Sequence, residues 1–426
     1  MQKPMNFLNK KIIKSLVAII IISTLPACDK PPSEHLKSFT EDKYPVANMP
    51  DEPLETPLEI NIEPKRLAMT SSWSAGVKDD GTLWTWGTDG LLRDTKTGQD
   101  PTPRQVEGVN DAVAVSGGSG HMLLLRKDGT VWGWGSNSYG EIEPNDDDTF
   151  IEELRQIKGI ENLVYIHAGQ QVSIFVNSEG KVFFLGNNET GVVNGNIQKK
   201  FNSPVLVEGF EHIVKAEGSA GAIVALNEDG SIVSSSSTLD SLGNPSAKKT
   251  TISNGKIYYS PVIVSLPKQA VDFTKGYANF ALLEDGSVWS WRSHEWSAQK
   301  ESKEIFIKSP KKVEGLSKVV RLNSISANTI NGDLYTWGNY VYSSRSGSTK
   351  DYIQRPIRIA QDIKVDQYGT GGFADYSFID DKGNAWMWGD KSDRGQWGTG
   401  KITEDYMPKE FVLSLHESLF NTHPNK

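Results

Sequence analysis

The chain has 426 residues, more than one ordinary globular core needs, and it contains 39 glycines and 12 tryptophans. A hydrophobic fraction of 37% with so many aromatic residues excludes a disordered or collagen-like chain. The formal net charge is −8, and it becomes −12 when residues 1–27, which contribute four lysines and no acid, are left out. Because an acidic surface repels phosphate backbones, we expect no nucleic-acid partner.

Residues 1–27 have the pattern of a lipoprotein signal peptide. A basic start is followed by a run over residues 12–22 that is apolar except for Lys14 and Ser15 and is too short to cross a bilayer comfortably as a helix. Leu25, Pro26, Ala27 and Cys28 then resemble the lipobox of bacterial lipoproteins. The resemblance implies that residues 1–27 are removed and that lipid, including palmitate, is attached to Cys28, the single cysteine of the chain. The alternative is an unmodified buried or free cysteine.

Residues 28–57 are predicted to form an acidic, proline-rich tether. Five prolines and seven acidic residues lie between positions 29 and 56, with little apolar periodicity. Such a segment buries too little apolar surface to offset the entropy of ordering it, so it should extend the following domain away from a membrane. Asp29 favours the inner membrane and a periplasm-facing domain, by comparison with the lipoproteins of enteric bacteria.

One pattern then occurs seven times. It consists of an acidic or turn residue, a glycine, a spacer, an apolar residue, and two aromatic positions separated by one residue and followed by glycine. Aspartate followed by glycine suits a two-residue hairpin turn. Nine of the twelve tryptophans occupy the aromatic positions. The turn glycines recur at nearly even spacing, at Gly81, Gly129, Gly180, Gly230, Gly286, Gly332 and Gly383.

Each copy predicts about four strands and almost no helix, because an apolar strand precedes the hairpin and a proline often introduces a further strand. Four short strands repeated seven times favour an all-β, seven-bladed β-propeller of about 50 residues per blade over residues 58–420, with a tail at 421–426. An open solenoid is the alternative. In a ring, the tryptophans should pack between blades. Strands expected at 57–62 and 408–412 would join the two chain ends in one blade.

These repeats resemble those of the regulator of chromosome condensation family. The fullest match is residues 132–140, with further agreement at 389–400 and at 118–121. The resemblance covers residues 67–412 and implies a propeller, in a family that includes nuclear nucleotide-exchange factors and bacterial secreted propellers such as an inhibitor of β-lactamase. The fourth copy departs from it, since serines at 234–237 replace the aromatic residues and lead into a polar insertion ending near Lys256. The acidic, exported chain lacks the basic tail expected for chromatin, which argues against nucleotide exchange on a nuclear GTPase.

The sequence predicts no catalytic residue, metal site or cofactor. No two of the seven histidines have a familiar metal-ligand spacing. The acidic run at 145–148 lacks the spaced ligands of a calcium loop, and the glycine-rich segments at 369–372 and 398–401 do not fit phosphate-binding loops. We therefore predict that the protein is not an enzyme.

Recognition is predicted on one rim of the ring. The position eight residues before each turn glycine varies between copies, and the equivalent connections of a propeller gather on one face. Exposed aromatic residues concentrate binding energy there. The alternative is packing against neighbouring loops, or a hydrogen-bonded turn histidine at position 121. The candidate partner-binding residues are Trp73, His121, Tyr277, Phe373 and Tyr376.

The leading hypothesis is a monomeric, lipid-anchored and non-catalytic propeller that binds an envelope or secreted protein. One alternative is an envelope hydrolase or lyase acting on polysaccharide, with carboxylates around the central channel. The other is a structural subunit of an envelope assembly.

Overall fold

The computed structural model describes residues 46–92, 98–276, 278–291, 309–338, 353–371, 375–389, 394–395, 398 and 414–416. In these residues, seven antiparallel sheets follow one another along the chain, and the inner strands of successive sheets contact each other around a ring. This architecture confirms the predicted all-β, seven-bladed β-propeller. No helix in the described part of the chain is long and apolar enough to span a membrane.

The strands are numbered in chain order, and the first strand of each blade is its inner strand. Blade 1 contains β1 (Leu67–Met69), β2 (Trp73–Val77), β3 (Leu83–Thr88) and β4 (Gln99–Gln105). Blade 2 contains β5 (Ala112–Gly117), β6 (His121–Arg126), β7 (Val131–Ser136) and β8 (Phe150–Gln156). Blade 3 contains β9 (Leu163–Ala168), β10 (Val172–Asn177), β11 (Val182–Gly186) and β12 (Val205–Leu206).

Blade 4 adds a fifth, outermost strand to this plan. It contains β13 (Ile213–Ser219), β14 (Ala222–Asn227), β15 (Ile232–Ser236), the outermost β16 (Lys249–Thr251) and β17 (Ile257–Ile263), with 3₁₀ turns at Leu239–Ser241 and Ser253–Gly255. Blade 5 contains β18 (Ala270–Lys275), β19 (Asn279–Leu283), β20 (Val288–Trp291) and β21 (Lys311–Lys312).

The last two blades complete the ring. Blade 6 contains β22 (Val319–Asn323), β23 (Ser326–Thr329), β24 (Leu334–Gly338) and β25 (Ile353–Ala360). Blade 7 contains β26 (Val365–Tyr368), β28 (Asp375–Asp380), β29 (Ala385–Gly389) and β30 (Ser414–His416). The short β27 (Thr370–Gly371) lies between β26 and β28 in the chain and pairs with blade 1.

The second aromatic residue of the repeat holds neighbouring blades together. Trp134 of blade 2 is fully buried against Ala75 and Leu83 of blade 1, and Trp86 of blade 1 is fully buried against Met387 of blade 7. Burying one large apolar side chain contributes roughly 1.5–3 kcal/mol. The structure therefore confirms that these tryptophans pack between blades.

The hairpin turns differ from the two-residue turns expected from the sequence. Gly81 has a φ of 82°, whereas Asp80 is not among the residues with positive φ. The Gly81 amide donates to the Lys78 carbonyl at 3.0 Å, and the Lys78 amide donates to the Thr82 carbonyl at 3.0 Å. This pattern is a β-turn closed by a glycine bulge, which needs one left-handed residue rather than two.

The aspartate before the turn glycine orients the first tryptophan of the repeat. Asp80 Oδ1 accepts hydrogen bonds from the Thr82 amide at 2.9 Å and from Thr82 Oγ1 at 2.7 Å. Thr82 Oγ1 in turn accepts a hydrogen bond from Trp84 Nε1 at 3.0 Å. These hydrogen bonds from Thr82 lower the pKa of Asp80. The same three-residue chain of bonds recurs in blade 2 and blade 5.

The ring closes differently from the expectation. Residues 57–62 form no strand, and residues 408–412 lie outside the described residues. Instead, β27 pairs in parallel with β1, and the Arg66 amide donates to Gln367 Oε1 at 2.8 Å. Blade 7 is thus joined to blade 1 by a short strand pair and by the buried Trp86.

Residues 46–66, which we call the N-terminal strap, lie along the propeller. The predicted tether includes residues 46–57, but backbone amides of this segment bond to blades 5 and 6. Met49 donates to the Gly315 carbonyl at 3.0 Å, and Leu54 donates to the Asp285 carbonyl at 3.0 Å. Further along the strap, Ile60 and Ile62 pack against the cores between blades. The strap thus crosses the ring before it enters β1.

The connections between strands lie on two opposite faces. Because the strands of a blade alternate in direction, the hairpin turns and the connections between blades share one face, the turn face, and the remaining connections share the other, the loop face. Connections between blades, such as 106–111 and 157–162, are short. On the loop face, the connection 137–149 of blade 2 and the connection 187–204 of blade 3 are each more than twice as long. Length variation is therefore concentrated on the loop face.

Candidate functional site

A cavity of about 280 Å³ opens on the loop face between blades 2 and 3. Its walls come from three connections: 118–120 and 137–149 of blade 2, and 169–171 of blade 3. Ser138, Tyr139, Glu141 and Gln170 contribute polar side chains to it. These residues are brought together only by the packing of two blades.

Asn137 fixes the shape of the blade 2 connection. Its Nδ2 donates to the Glu143 carbonyl at 2.9 Å and to the Asp148 carbonyl at 3.1 Å, and its Oδ1 accepts from the Ile142 amide at 3.1 Å. Asn137 is itself buried. A buried side chain that satisfies several backbone groups gives the connection a single conformation, so the cavity wall is preformed.

Glu141 is the buried acid of the cavity. The residue is 2% exposed, and its Oε2 accepts a hydrogen bond from the Tyr139 amide at 2.8 Å. Within the described residues, no lysine, arginine or histidine forms an ion pair with it. Burial raises the pKa of Glu141, because hydrogen bonds from the Tyr139 amide, its own amide and the Ser136 side chain only partly offset the lost hydration of the carboxylate.

His121 also borders the cavity, and its side chain bonds across to blade 3. It is 1% exposed, and its Nε2 lies 3.0 Å from Ser173 Oγ of blade 3. Ser173 Oγ donates to the Glu141 carbonyl at 2.7 Å, so the network assigns the proton on Nε2 to the bond with Ser173. Burial lowers the pKa of His121 to about 3. The imidazole is therefore neutral at physiological pH.

Of the aromatic residues predicted to bind a partner, the two that the structure describes are buried. Trp73 is 3% exposed and meets Phe150 edge-on at 6.1 Å, and Tyr376 is 7% exposed in the core between blades 6 and 7. Tyr277 and Phe373 lie outside the described residues. Trp73 and Tyr376 thus pack in the cores between blades. Partner binding through any of the five candidates stays a prediction.

The sequence-based candidates did not include Tyr139, Glu141 or Gln170. The available signal was the segment 132–140, which gave the family resemblance and ends one residue before Glu141. The segment indicated a blade but not that its last turn lines a cavity. Gln170 had no signal, because it lies in the next repeat.

Charge on the loop face is divided between neighbouring connections. The blade 2 connection 137–149 has five acidic residues and no basic one, a net charge of −5. The connections 187–204 and 237–256 of blades 3 and 4 together have five lysines and two acids, a net charge of +3. Lys199 Nζ lies 5.9 Å from the centre of the Tyr139 ring, at the border between the two regions.

The inner strands of blades 4 and 5 carry a separate charged network. Lys215 Nζ on β13 lies 2.8 Å from Asp272 Oδ1 and 3.0 Å from Glu217 Oε1. Burial disfavours the charged ammonium, but the two carboxylates more than offset this and raise the pKa of Lys215. The network thus ties together the inner strands of blades 4 and 5. Among the described residues, no group of three or more histidine, cysteine, aspartate or glutamate side chains is placed to hold a metal ion.

Comparison with known proteins finds a family match in blade 2, which forms most of the cavity wall. Residues 112–141 match the family model of the regulator of chromosome condensation (RCC1) repeat. Blade 2 is therefore similar in sequence to an RCC1 repeat. The matched segment contains His121, Tyr139 and Glu141, so the family's repeat unit includes much of the cavity wall.

The curated relatives of this chain are distant in sequence. The E3 ubiquitin-protein ligase HERC2 of Homo sapiens is 23% identical over 360 residues, which cover 79% of this chain and 7% of HERC2. The Mus musculus protein matches equally. The chain therefore corresponds to a small part of these relatives.

Solved structures of other proteins share the fold. Yeast RCC1 (Prp20) bound to Kap60 has a TM-score of 0.61 at 17% identity, covering 79% of this chain and 85% of that one. Prp20p from Saccharomyces cerevisiae, described with its binding to Gsp1p and histones, has a TM-score of 0.61 at 18% identity, with coverage of 84% and 87%. Human WBSCR16 has a TM-score of 0.51 at 15% identity and 83% coverage of both chains. At these identities, the likeness establishes the propeller fold alone.

Proposed function

We propose that this protein is a membrane-anchored lipoprotein whose propeller is a non-catalytic protein-binding module. Its partner, an envelope or secreted protein, binds the loop face over blades 2 to 4. The observation that carries the proposal is the difference between the two faces. The loop face presents long connections of opposite charge beside a preformed cavity, whereas the turn face presents short, similar turns and the N-terminal strap.

Related propellers support the protein-binding half of the proposal. Yeast RCC1 was solved with Kap60 bound, and Prp20p is described as binding Gsp1p and histones. Those interactions belong to those proteins. They indicate that an RCC1-like ring is suited to holding variable connections rigidly against another protein.

The membrane half of the proposal rests on the sequence of residues 1–29. The apolar run, the lipobox-like segment before Cys28 and the following Asp29 favour a lipid-anchored protein on the inner membrane, facing the periplasm. Residues 28–45 would separate the lipid from Val46 by at most about 60 Å. Since Val46 pairs with Ile357 on blade 6 and the strap continues across the turn face, we place the turn face towards the membrane.

Site-specific photocrosslinking in cells tests the binding face. A photoreactive residue is introduced on the loop face at Ser138, Lys199 or Ser246, which are all exposed. Matched controls on the turn face are at Glu107 and Glu161, which are exposed in the connections between blades. We expect one recurrent protein adduct from the loop-face positions alone. Adducts of equal yield from both faces, or from the turn face alone, would refute the proposed face.

Metabolic labelling tests the anchor. The wild-type protein should incorporate an alkynyl palmitate and sediment with membranes, whereas Cys28→Ser should do neither. Incorporation of the label by Cys28→Ser, or an unlabelled wild-type protein that does not sediment, would contradict the lipoprotein assignment. This result is independent of which face binds the partner.

A further inference from the structure

The cavity between blades 2 and 3 contains a buried charge without an opposite charge. Glu141 is 2% exposed and lines the cavity, yet no described cation forms an ion pair with it. A buried carboxylate is costly unless it is paired, so this site gains from a positive group supplied by a ligand. The backbone amide of Tyr139 bonds to one carboxylate oxygen and holds the side chain in place.

An aromatic ring lies beside this carboxylate. Tyr139 lines the same cavity, and the ammonium of Lys199 lies 5.9 Å from its ring centre. Lys199 is exposed and sits at the outer limit of a cation–π contact. The ring is therefore available to a better-placed cation, and the chain's own lysine competes weakly for it.

The surroundings attract a positive group. Besides Glu141, the connection 137–149 has four acidic residues, of which Asp146 pairs with Arg155 while Asp147 and Asp148 are exposed at the surface. Fixed charges of one sign around a recess raise the local concentration of the opposite ion. Ser138 and Gln170 add neutral hydrogen-bonding groups to the walls.

We propose that this cavity binds the arginine side chain of a basic segment of the partner protein, with the guanidinium between Glu141 and Tyr139. The inference rests on the proposed function and names the chemistry of the partner. Arginine fits because its planar guanidinium pairs with a carboxylate and stacks on an aromatic face at the same time. A volume of about 280 Å³ suits one side chain better than a drug-sized ligand.

Peptide binding to the intact, detergent-solubilised protein tests the inference. The probes are fluorescent nine-residue glycine-serine peptides with either arginine or citrulline at the centre, which differ in charge but barely in shape. We expect the arginine peptide to bind about tenfold more tightly than the citrulline peptide. Glu141→Gln, whose amide oxygen can still accept from the Tyr139 amide, should abolish that preference.

Two further variants separate the cavity from general electrostatics. Glu143→Gln removes a carboxylate from the same connection outside the cavity and should change the affinity for the arginine peptide less than about twofold. Lys199→Ala removes the competing ammonium and should strengthen binding. Thermal unfolding verifies that Glu141→Gln is folded.

Three results would overturn the inference. They are equal binding of the two peptides, an undiminished arginine preference in folded Glu141→Gln, and binding of free arginine amide as tightly as the peptide, which would indicate a small-molecule site. If the loop face crosslinks to a partner in cells while Glu141→Gln has no effect on the adduct, the inference fails and the proposed function stands.

Discussion

Blades 2 and 4 share the order of their three inner strands but differ in the chemistry at the same repeat position. In blade 2, Trp134 is fully buried, and its Nε1 donates to the Gly90 carbonyl of blade 1 at 3.0 Å. In blade 4, the corresponding residue is Ser235, also fully buried, with its Oγ 3.2 Å from the Val192 carbonyl of blade 3. One blade thus contacts its predecessor through a large ring and the other through a hydroxyl.

The space that a tryptophan would occupy in blade 4 is filled from blade 3. Val192, Val193 and Phe201, all from the long connection 187–204, join the core that contains Val233 of blade 4. A core must be filled to crystal-like density whichever residues supply the volume. A short side chain in one blade is therefore compensated by a longer connection in its neighbour.

Both blades nevertheless keep the same bond to the blade that follows. The Glu141 carbonyl of blade 2 accepts from Ser173 Oγ at 2.7 Å, and the Ser241 carbonyl of blade 4 accepts from Asn279 Nδ2 at 3.3 Å. Ser173 and Asn279 both stand seven residues before the turn glycine of their repeat. The two blades thus differ in the side chains that fill their cores, but each keeps a hydrogen bond from a side chain of the next blade to a backbone carbonyl.

The largest expected effect on stability comes from removing the buried indole of Trp134 in blade 2. Trp134→Ala should lower the free energy of unfolding by about 3–5 kcal/mol, because the cavity left behind cannot be filled by a short neighbouring connection. Urea-induced unfolding followed by circular dichroism measures the loss. The matched control Trp132→Ala removes a half-buried ring and should cost less. A loss for Trp134→Ala no larger than that of Trp132→Ala would contradict the packing role.

Placing a tryptophan at the corresponding position of blade 4 should also destabilise the ring. Ser235→Trp places an indole where Val192 and Val193 already pack, and overpacking of this kind costs about 1–3 kcal/mol. The same unfolding measurement applies, with Ser246→Trp on the exposed insertion as the control. A stabilised Ser235→Trp protein would show that the space in blade 4 is empty rather than filled by blade 3.

A pH difference should also separate the two blades, since blade 4 has Ala222 where blade 2 has His121. The pKa of His121 is lowered to about 3 by burial, so protons bind preferentially to the unfolded chain. The contribution of His121 to the free energy of unfolding is nearly constant above about pH 6.5 and is lost as the pH falls from there towards 3. Between pH 7 and pH 5.5, the wild-type protein should lose about 1 kcal/mol more than His121→Gln. Parallel stability curves for the two proteins would refute the buried neutral imidazole.

The smallest expected effect is the loss of one hydroxyl. Ser235→Ala leaves a carbonyl at Val192 or Tyr259 without this donor and should cost about 1 kcal/mol. Its control is Ser246→Ala, on the exposed insertion. Equal stability of the two variants would mean that the hydroxyl is dispensable and that only its small size matters.

The periodic glycines made the ring predictable. Each turn glycine has a positive φ, for example 77° at Gly129 and 83° at Gly230, so a residue chosen for backbone reasons marks every blade. The turn type was not predictable, because aspartate followed by glycine is compatible with more than one type of turn. In the structure, the aspartate side chain accepts a hydrogen bond from the amide of Thr82 in blade 1 and of Thr130 in blade 2, which the sequence did not reveal.

The candidate site was less predictable. Sequence position placed Trp73 near a connection but gave no side-chain direction, and its ring turned into the core. Glu141 and Gln170 belong to different repeats, so only blade packing brings them to one cavity. The sequence did not predict that the N-terminal strap lies along the propeller. Its composition shows only isolated apolar residues such as Leu54, and the backbone amides that bond to turn carbonyls leave no mark on the sequence.

The N-terminal strap also determines where a mechanical pull would enter the ring. Tension applied upstream of Val46 first reaches the edge of blade 6, and then the hydrogen bonds at Met49 and Leu54 and the ion pair of Glu52 with Lys318. These contacts are loaded before any force arrives at β1, where the ring is joined by two paired residues of β27. The strap thus bears the tension before it reaches the contact between β27 and β1, where blades 7 and 1 meet.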